Sequence, residues 1–292
     1  MVEASARQAF SPDVLRRFGD VIRERFGLAQ TARREDGLEH RLTTAMKLAN
    51  AEHEDPNTFV RRLASAPERS TEFQAAADAV PNQETSFFRD AQQLEGVVRT
   101  LVAKRLATAA PGDVVRVLSA GCATGEEVYS LAMLLHEALA FIGGPALEVW
   151  GLDVSPGAVA HAVAGRYPVA VLQRSGDGPV QWSRGFFREV NGVLEARPFL
   201  RATARFVQGN LMSPETLERL GRFEVVLCRN VLIYFDAETL PAAMRALRSL
   251  LVPAGALVLG RAEASRGEGH GLEALRQGDL CWLVRSDVEV AA

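Results

Sequence analysis

Residues able to do chemistry concentrate in a few short stretches. Val114–His136 reads VVRVLSAGCATGEEVYSLAMLLH. A β-branched apolar run, Val114–Leu118, leads into a turn of small residues, Ser119–Gly125. From Glu126 onward Val128, Leu131, Ala132 and Leu135 fall on one helical face. Strand, glycine-bearing turn and helix make a nucleotide pocket in an open α/β sheet, with Gly121 and Gly125 expected to let backbone approach a ligand. The turn has neither a full GxGxxG nor a GxxxxGK[ST] pattern. Glu126 and Glu127 follow it directly and would repel a pyrophosphate. A cationic, hydroxyl-bearing ligand such as S-adenosylmethionine, with its sulfonium and ribose, suits them better. Acidic residues in a first helical turn are also ordinary complements of the helix dipole, so the turn by itself leaves other Rossmann-like domains open.

Further candidates lie at strand ends. Ala146–Leu152 reads as a second strand ending at Asp153, where ribose hydroxyls are bound in such folds. The following Val154-Ser155-Pro156 also suits a helix N-cap, and ribose binding is favoured because position and chemistry agree. Gly209-Asn210-Leu211 ends another strand. Phe223–Phe235, FEVVLCRNVLIYF, carries a strand over Glu224–Leu227 that ends in Cys228-Arg229-Asn230 on the same carboxyl edge. Asn230 and Tyr234 are four apart and are expected to face the pocket from one helical turn, with a core aromatic as the equal alternative for Tyr234. Arg89 beside Phe87 and Phe88 is a surface charge or a clamp for a carboxylate. The two adjacent phenylalanines cannot share a helix face, and one is expected to pack on each domain.

The elements that must position these residues follow a simple order. The 292 residues, 48% hydrophobic and 24% charged, suit one large domain or two smaller ones. A net charge of −3 makes no electrostatic case for nucleic acid. Cys122, Cys228 and Cys281 are odd in number and widely spaced, without a zinc pattern or disulfide framework, which favours a reducing compartment. Glu3 and Arg7 precede any apolar run, so no signal peptide is expected, and no stretch nears the roughly 20 apolar residues of a membrane span. A cytoplasmic protein is expected.

Residues 1–78 read as a helical domain: Pro12 after Ser11 starts a helix that Gly27 closes, a second runs near Leu38–Asn50, and a third begins at Asp55-Pro56. Residues 79–92 read as a linker contributing to the cofactor site. Residues 93–292 read as an α/β, Rossmann-like domain, beginning with a helix from Ala91 to Leu106 and a Pro111-Gly112 turn. Turns at Gly176-Asp177-Gly178 and Asn191-Gly192 break the βα rhythm, predicting an inserted antiparallel β-subdomain at about 167–205. Cys281–Val290 supplies a final strand or hairpin.

Several stretches together resemble one family. Gln83–Asp90 (QETSFFRD), Ser119–Ser130, Cys228–Asp236 (CRNVLIYFD) and Gly255–Glu263 resemble the chemotaxis receptor methyltransferases, which move a methyl group from S-adenosylmethionine to receptor glutamates and release S-adenosylhomocysteine. The resemblance implies an all-α N-terminal domain, a linker, and a Rossmann-like methyltransferase domain bearing a small antiparallel β-subdomain. It places cofactor contacts on Gln83, Thr85, Arg89, Ala120, Gly121, Glu127, Asp153, Asn210, Leu211, Arg229 and Asn230. Arg89 and Tyr234 would stand near the transfer centre.

Gln83 stands where the family prefers Asn, and Val128 replaces a usual Pro. The second helix resembles the family's basic receptor-docking helix but is poorer in arginine, leaving Arg41 and Lys47 as the candidates for docking to the cytoplasmic helical domain of a methyl-accepting receptor. The tight Asn191-Gly192 turn favours a member that does not grip a receptor's C-terminal peptide. A monomer is expected.

The implied reaction is in-line attack of a glutamate carboxylate on the sulfonium methyl. Glutamate has a pKa of about 4.3, so it is ionised near neutrality and needs no general base. Two rivals share these residues: a non-catalytic adaptor with a methyltransferase-like fold, and a methyltransferase for another cytosolic protein.

Overall fold

The computed structural model describes residues 10–29, 35–110, 112–139, 146–175 and 182–286. The chain divides into two compact units, Met1–Asn82 with Tyr234–Thr239, and Gln83–Ile233 with Leu240–Ala292. The Gly176-Asp177-Gly178 turn, Pro111, residues 287–292 and the region around Glu3 and Arg7 lie outside the described residues.

The first unit is helical where the spacing predicts it. Pro12–Phe26 starts after Ser11, whose Oγ accepts from the Val14 N–H, and stops at Gly27 with φ +74°. Glu35–Leu48, Pro56–Ser65 and Thr71–Ala79 follow, the last two capped by Asp55 and Ser70. Phe18, Ile22, Leu42, Phe59, Leu63 and Phe73 form its fully buried centre. The Arg25 guanidinium donates to the Leu63, Ala64 and Ala66 carbonyls, closing the end of Pro56–Ser65. Tyr234–Thr239 belongs to this unit through Arg23, which pairs with Asp236 and Glu238, and Thr239, whose Oγ1 donates to the Gly27 carbonyl.

The second unit is built on a seven-stranded sheet. Its strands are β1 (Val114–Ala120), β2 (Ala146–Asp153), β6 (Ala204–Gln208), β7 (Phe223–Cys228), β8 (Leu251–Leu259), β9 (Leu272–Gln277) and β10 (Leu280–Arg285). The order is β6-β2-β1-β7-β8-β10-β9. The first five in that order run parallel, and β10 pairs antiparallel with both β8 and β9. The order reverses direction between β1 and β7, so a crevice opens at the carboxyl ends of those two strands. β1, β2 and β7 are rich in Val and Leu, as strands covered by helices such as Glu126–Leu139 are.

A second sheet, β3 (Arg166–Pro168), β4 (Phe187–Val190) and β5 (Val193–Ala196), is antiparallel in the order β3-β5-β4. Asn191 and Gly192 join β4 to β5 with φ +51° and +75°, as the sequence predicts for a tight hairpin. The helix after Asp90 is Ala91–Gly96, continued by a π-helical turn Val97–Val102 and by Ala103–Thr108. No helix among the described residues is long and apolar enough to cross a membrane.

Phe87 and Phe88 do not divide between the units. Both are buried in the core of the second. Phe88 adopts φ +55° and Asp90 φ +54°, which turns the chain sharply and sends consecutive side chains inward. The Phe87 ring packs edge-on against Tyr167 at 4.9 Å and Phe187 at 5.5 Å, tying the small sheet to the segment before Ala91.

Candidate active site at the carboxyl edge of the sheet

The turn after β1 is locked by the strand beside it. The Gly121 and Cys122 N–H groups both donate to the Leu152 carbonyl, at 2.8 and 3.0 Å. The Ala123 N–H donates to Asp153 Oδ2 at 2.8 Å, and the Gly125 N–H returns to the Cys122 carbonyl at 3.0 Å. Gly121 and Gly125 have φ +80° and +94°. A Cβ at Gly121 would lie 2.4 Å from Val231 Cγ2, and one at Gly125 would lie 2.7 Å from the Ala162 Cβ. The two glycines therefore admit neighbouring protein side chains, a reason for glycine that differs from the expected approach of a ligand.

Asp153 is 9% exposed, and its Oδ1 accepts from the Ser155 N–H at 2.9 Å. The helix Pro156–Ala164 is capped by Ser155, whose Oγ accepts from the Ala158 N–H. Asp153 is thus separate from the cap, and its carboxylate lies at the carboxyl end of β2 beside the glycine turn. Gln83 donates through Nε2 to Ser155 Oγ at 2.9 Å. The Gly209 N–H donates to the Asp153 carbonyl, which brings Asn210 and Leu211 to the same edge. Asn210 is buried, and its Oδ1 accepts from the Met212 N–H.

Arg229 is the hub. Its side chain is 1% exposed. Nε donates to Gln93 Oε1 at 2.8 Å, Nη1 to Glu127 Oε2 at 2.7 Å, and Nη2 to the Arg89 carbonyl and Asp90 Oδ2 at 2.8 and 2.7 Å. Glu127 accepts a second bond from Ser119 Oγ at 2.8 Å. One guanidinium therefore joins the start of the Glu126–Leu139 helix, the Arg89–Asp90 turn and the Ala91–Gly96 helix. Burial raises the pKa of the neighbouring Glu126, opposed chiefly by the hydrogen bond from Thr124 Oγ1. Burial pushes the Cys122 and Cys228 thiols well above the ordinary range, which leaves them protonated and poor nucleophiles.

The structure brings together Ala120, Gly121, Glu127, Asp153, Asn210, Leu211, Arg229 and Asn230 around the carboxyl ends of β1, β2, β6 and β7. Gln83 and Arg89 join them through Ser155 and Arg229. Thr85 and the Arg89 side chain are half-buried, and Arg89 Nη1 donates to the Glu84 carbonyl at 3.1 Å.

Asn230 and Tyr234 do not share a helical turn. Asn230 sits at φ +59° and only Leu232–Tyr234 forms a short 3-10 turn. Tyr234 is grouped with the first unit, where its hydroxyl accepts from Asn82 Nδ2 at 3.0 Å. The Arg41 guanidinium is half-buried and donates to the Val80 and Ala79 carbonyls, closing the end of Thr71–Ala79. Arg41 is therefore committed within its own unit, while Lys47 is exposed.

Three contributors escape motif reading. Gln93 anchors Arg229 and donates to the Leu259 carbonyl at 2.8 Å. The Tyr167 hydroxyl, from β3, donates to the Thr124 carbonyl of the glycine turn at 2.7 Å. Glu263, fully buried, accepts from the Asn230 and Ile233 N–H groups. Only Glu263 falls in a stretch the sequence singles out, at the end of Gly255–Glu263, and its Oε2 also accepts from the Gly260 N–H at 3.2 Å.

The group set fits a cationic nucleoside. Glu126, Glu127 and Asp153 cluster at the crevice, and the Arg229 charge is already met by Glu127 and Asp90. Among the described residues a pyrophosphate would find no unmatched buried cation at this edge, whereas a sulfonium and ribose hydroxyls would find carboxylates.

Residues 83–277 match the family described as CheR methyltransferase, SAM binding domain. An uncharacterized 104.1 kDa protein of Rhodobacter capsulatus is 36% identical over 181 residues, covering 62% of this chain and 18% of that protein. The probable biofilm formation methyltransferase WspC of Pseudomonas aeruginosa is 32% identical over 257 residues, covering 88% of this chain and 58% of WspC. The chain thus spans less than two thirds of the length of either relative. The chemotaxis protein methyltransferase of Klebsiella aerogenes is 30% identical over 266 residues, covering 90% of this chain and 87% of its own length. With the glycine turn, the acidic strand end and the Arg229 hub on one sheet edge, the chain belongs to the CheR methyltransferase family, and residues 83–277 are its S-adenosylmethionine-binding domain.

Proposed function

We propose that the chain methylates glutamate side chains in the cytoplasmic helical domain of methyl-accepting chemotaxis receptors, forming methyl esters. The observation that carries this reading is the sheet edge itself. Asp153 is held at the end of β2 by two backbone N–H groups, and Glu127 is held beside it by Ser119 and Arg229. S-adenosylmethionine, when bound, supplies an electrophilic methyl group on a sulfonium.

The chain's residues have the remaining tasks. Asp153, at the carboxyl end of β2, accepts from ribose hydroxyls. Gln83, Thr85, Asn210, Leu211 and Asn230 contact the nucleoside or the amino-acid portion. Glu127 provides negative charge near the cationic centre. Arg229 holds Glu127 and the Arg89–Asp90 turn in place from beneath rather than touching the ligand through its buried guanidinium. Arg89 orients the incoming carboxylate, and Tyr234 acts at the transfer step through its ring, an interaction worth on the order of 0.5–2 kcal/mol with a cation.

No residue need remove a proton, because an acceptor glutamate is ionised near neutrality. Rate then depends on alignment, which can supply roughly 7–11 kcal/mol. The exposed Lys47 remains a docking candidate, and the commitment of Arg41 to Val80 makes receptor capture through that helix weaker than a basic helix would give.

Similarity to WspC across 88% of this chain favours a second reading with the same chemistry, in which the acceptor is a protein of a biofilm pathway. Methyl-labelled S-adenosylmethionine and a panel of receptor cytoplasmic fragments separate the possibilities. Base-labile label on a receptor fragment supports the proposal. Label only on other proteins supports the second reading, and saturable cofactor binding without label supports an adaptor.

A further inference from the structure

We propose that Glu263 is a positioning residue for the cofactor cradle, setting the shape of the loop that leaves β7. The inference rests on the cradle reading and adds a residue to it. Glu263 lies in the short helical turn Arg261–Arg266 that follows β8, and it is 0% exposed. A carboxylate so far from water needs hydrogen-bond donors around it. Three are present, all backbone: the N–H groups of Asn230 at 2.7 Å, Ile233 at 2.9 Å and Gly260 at 3.2 Å.

Two of these donors bracket the segment that matters. Asn230 sits in the left-handed region at φ +59°, a conformation that costs energy for any residue with a Cβ and persists where surroundings enforce it. Between Asn230 and Ile233, Val231 presses its Cγ2 into the space a Cβ on Gly121 would occupy. Arg266 Nη1 donates to the Leu232 carbonyl at 2.5 Å, so the loop is gripped at three successive places. Through Val231 the loop wedges against the glycine turn, and through Asn230 it presents a half-buried side-chain amide at the crevice. Glu263 thereby sets the spacing between the two walls of the cradle without reaching the ligand.

Position 260 carries the same information. Gly260 has φ −59°, which any residue accepts, yet a Cβ there would lie 2.6 Å from Glu263 Oε2 and 3.2 Å from the Asn230 nitrogen. The nearest atom an alanine would meet is the Glu263 carboxylate oxygen, and its own φ is no obstacle.

The test compares wild-type protein with Glu263→Gln and Gly260→Ala. Glutamine turns one acceptor oxygen into an N–H₂ facing an N–H donor. Alanine at 260 displaces the carboxylate while keeping its charge. Both variants should bind S-adenosylhomocysteine about tenfold or more weakly by calorimetry. Both should also speed amide exchange at Asn230 and Ile233 in the ligand-free protein, with β1 amides unchanged. If Glu263→Gln does not fold, Gly260→Ala decides alone. Wild-type affinity in a folded variant overturns the proposal, as does weakened affinity with unaltered exchange at those two amides. Failure of the wild-type protein itself to take up the ligand overturns the cradle reading instead.

Discussion

Replacing Arg229 by methionine keeps most of the side-chain volume and removes every donor of the guanidinium. Four hydrogen bonds go with it, to Gln93, Glu127, the Arg89 carbonyl and Asp90. Their losses are unequal. Asp90 is 40% exposed, so water can replace its partner and its ion pair adds little. Glu127 is 16% exposed and Gln93 8%, so these two groups are left largely without water. Breaking a buried ion pair on one side costs about 3–5 kcal/mol. At roughly 2–4 °C per kcal/mol for a domain of this size, Arg229→Met should lower the midpoint of the second unit by about 6–20 °C.

Arg229→Lys should recover only part of this. An ammonium can meet Glu127 but cannot at once fork to Gln93 and the Arg89 carbonyl. Adding Glu127→Gln to Arg229→Met should restore part of the loss, because it removes the stranded charge. The assay is thermal unfolding of the full chain, following the transition that S-adenosylhomocysteine shifts. A fall of less than about 3 °C for Arg229→Met, or additive effects in the double variant, would refute the hub.

Four further outcomes follow from the same geometry. Gly121→Ala should abolish S-adenosylhomocysteine binding by calorimetry and destabilise the fold by about 1–3 kcal/mol, because its Cβ meets Val231 at 2.4 Å in a left-handed conformation. Glu126→Gln should stabilise the protein at neutral pH in denaturant titrations. The raised folded-state pKa of Glu126 means its favourable contribution is complete below the ordinary glutamate pKa and lost as pH rises through the folded value, so the variant's advantage should vanish on acidification. Arg89→Ala should cut the methyl-transfer rate by a factor of about 100 or more while leaving the fold intact, and near-normal turnover would remove Arg89 from the centre. Tyr234→Phe should keep most of its rate if the ring is what matters; lost turnover with intact cofactor binding would implicate the hydroxyl instead.

Much of this architecture could be read from local pattern. Val114–Leu118, Ala146–Leu152 and Glu224–Leu227 are apolar runs with β-branched residues, and each became a strand of the parallel sheet. Ser11-Pro12, Asp55-Pro56 and Ser155-Pro156 all open helices, because cap and proline act within one turn. Asn191-Gly192 demanded two positive φ values and has them.

What escaped reading depends on distant neighbours. The reason for glycine at 121 is Val231, about a hundred positions away, and no local rule reports it. Phe88 adopts left-handed backbone that its residue type does not advertise, so the burial of both Phe87 and Phe88 in one core could not be foreseen. Arg41 was a docking candidate because its helix resembles the family's basic receptor-docking helix, but the Val80 carbonyl it caps belongs to another helix's end. Asn230 and Tyr234 showed helical spacing, and the buried Glu263 carboxylate imposed a different backbone on that stretch.

The central claim is that the carboxyl edge of the sheet, with Asp153, Glu127 and the Arg229-anchored turns, cradles S-adenosylmethionine. Calorimetric titration of the folded full chain with S-adenosylhomocysteine tests it most directly. Saturable uptake of one equivalent, weakened by Asp153→Ala, is the predicted result; no uptake by well-folded wild-type protein, or uptake indifferent to Asp153→Ala, would contradict it.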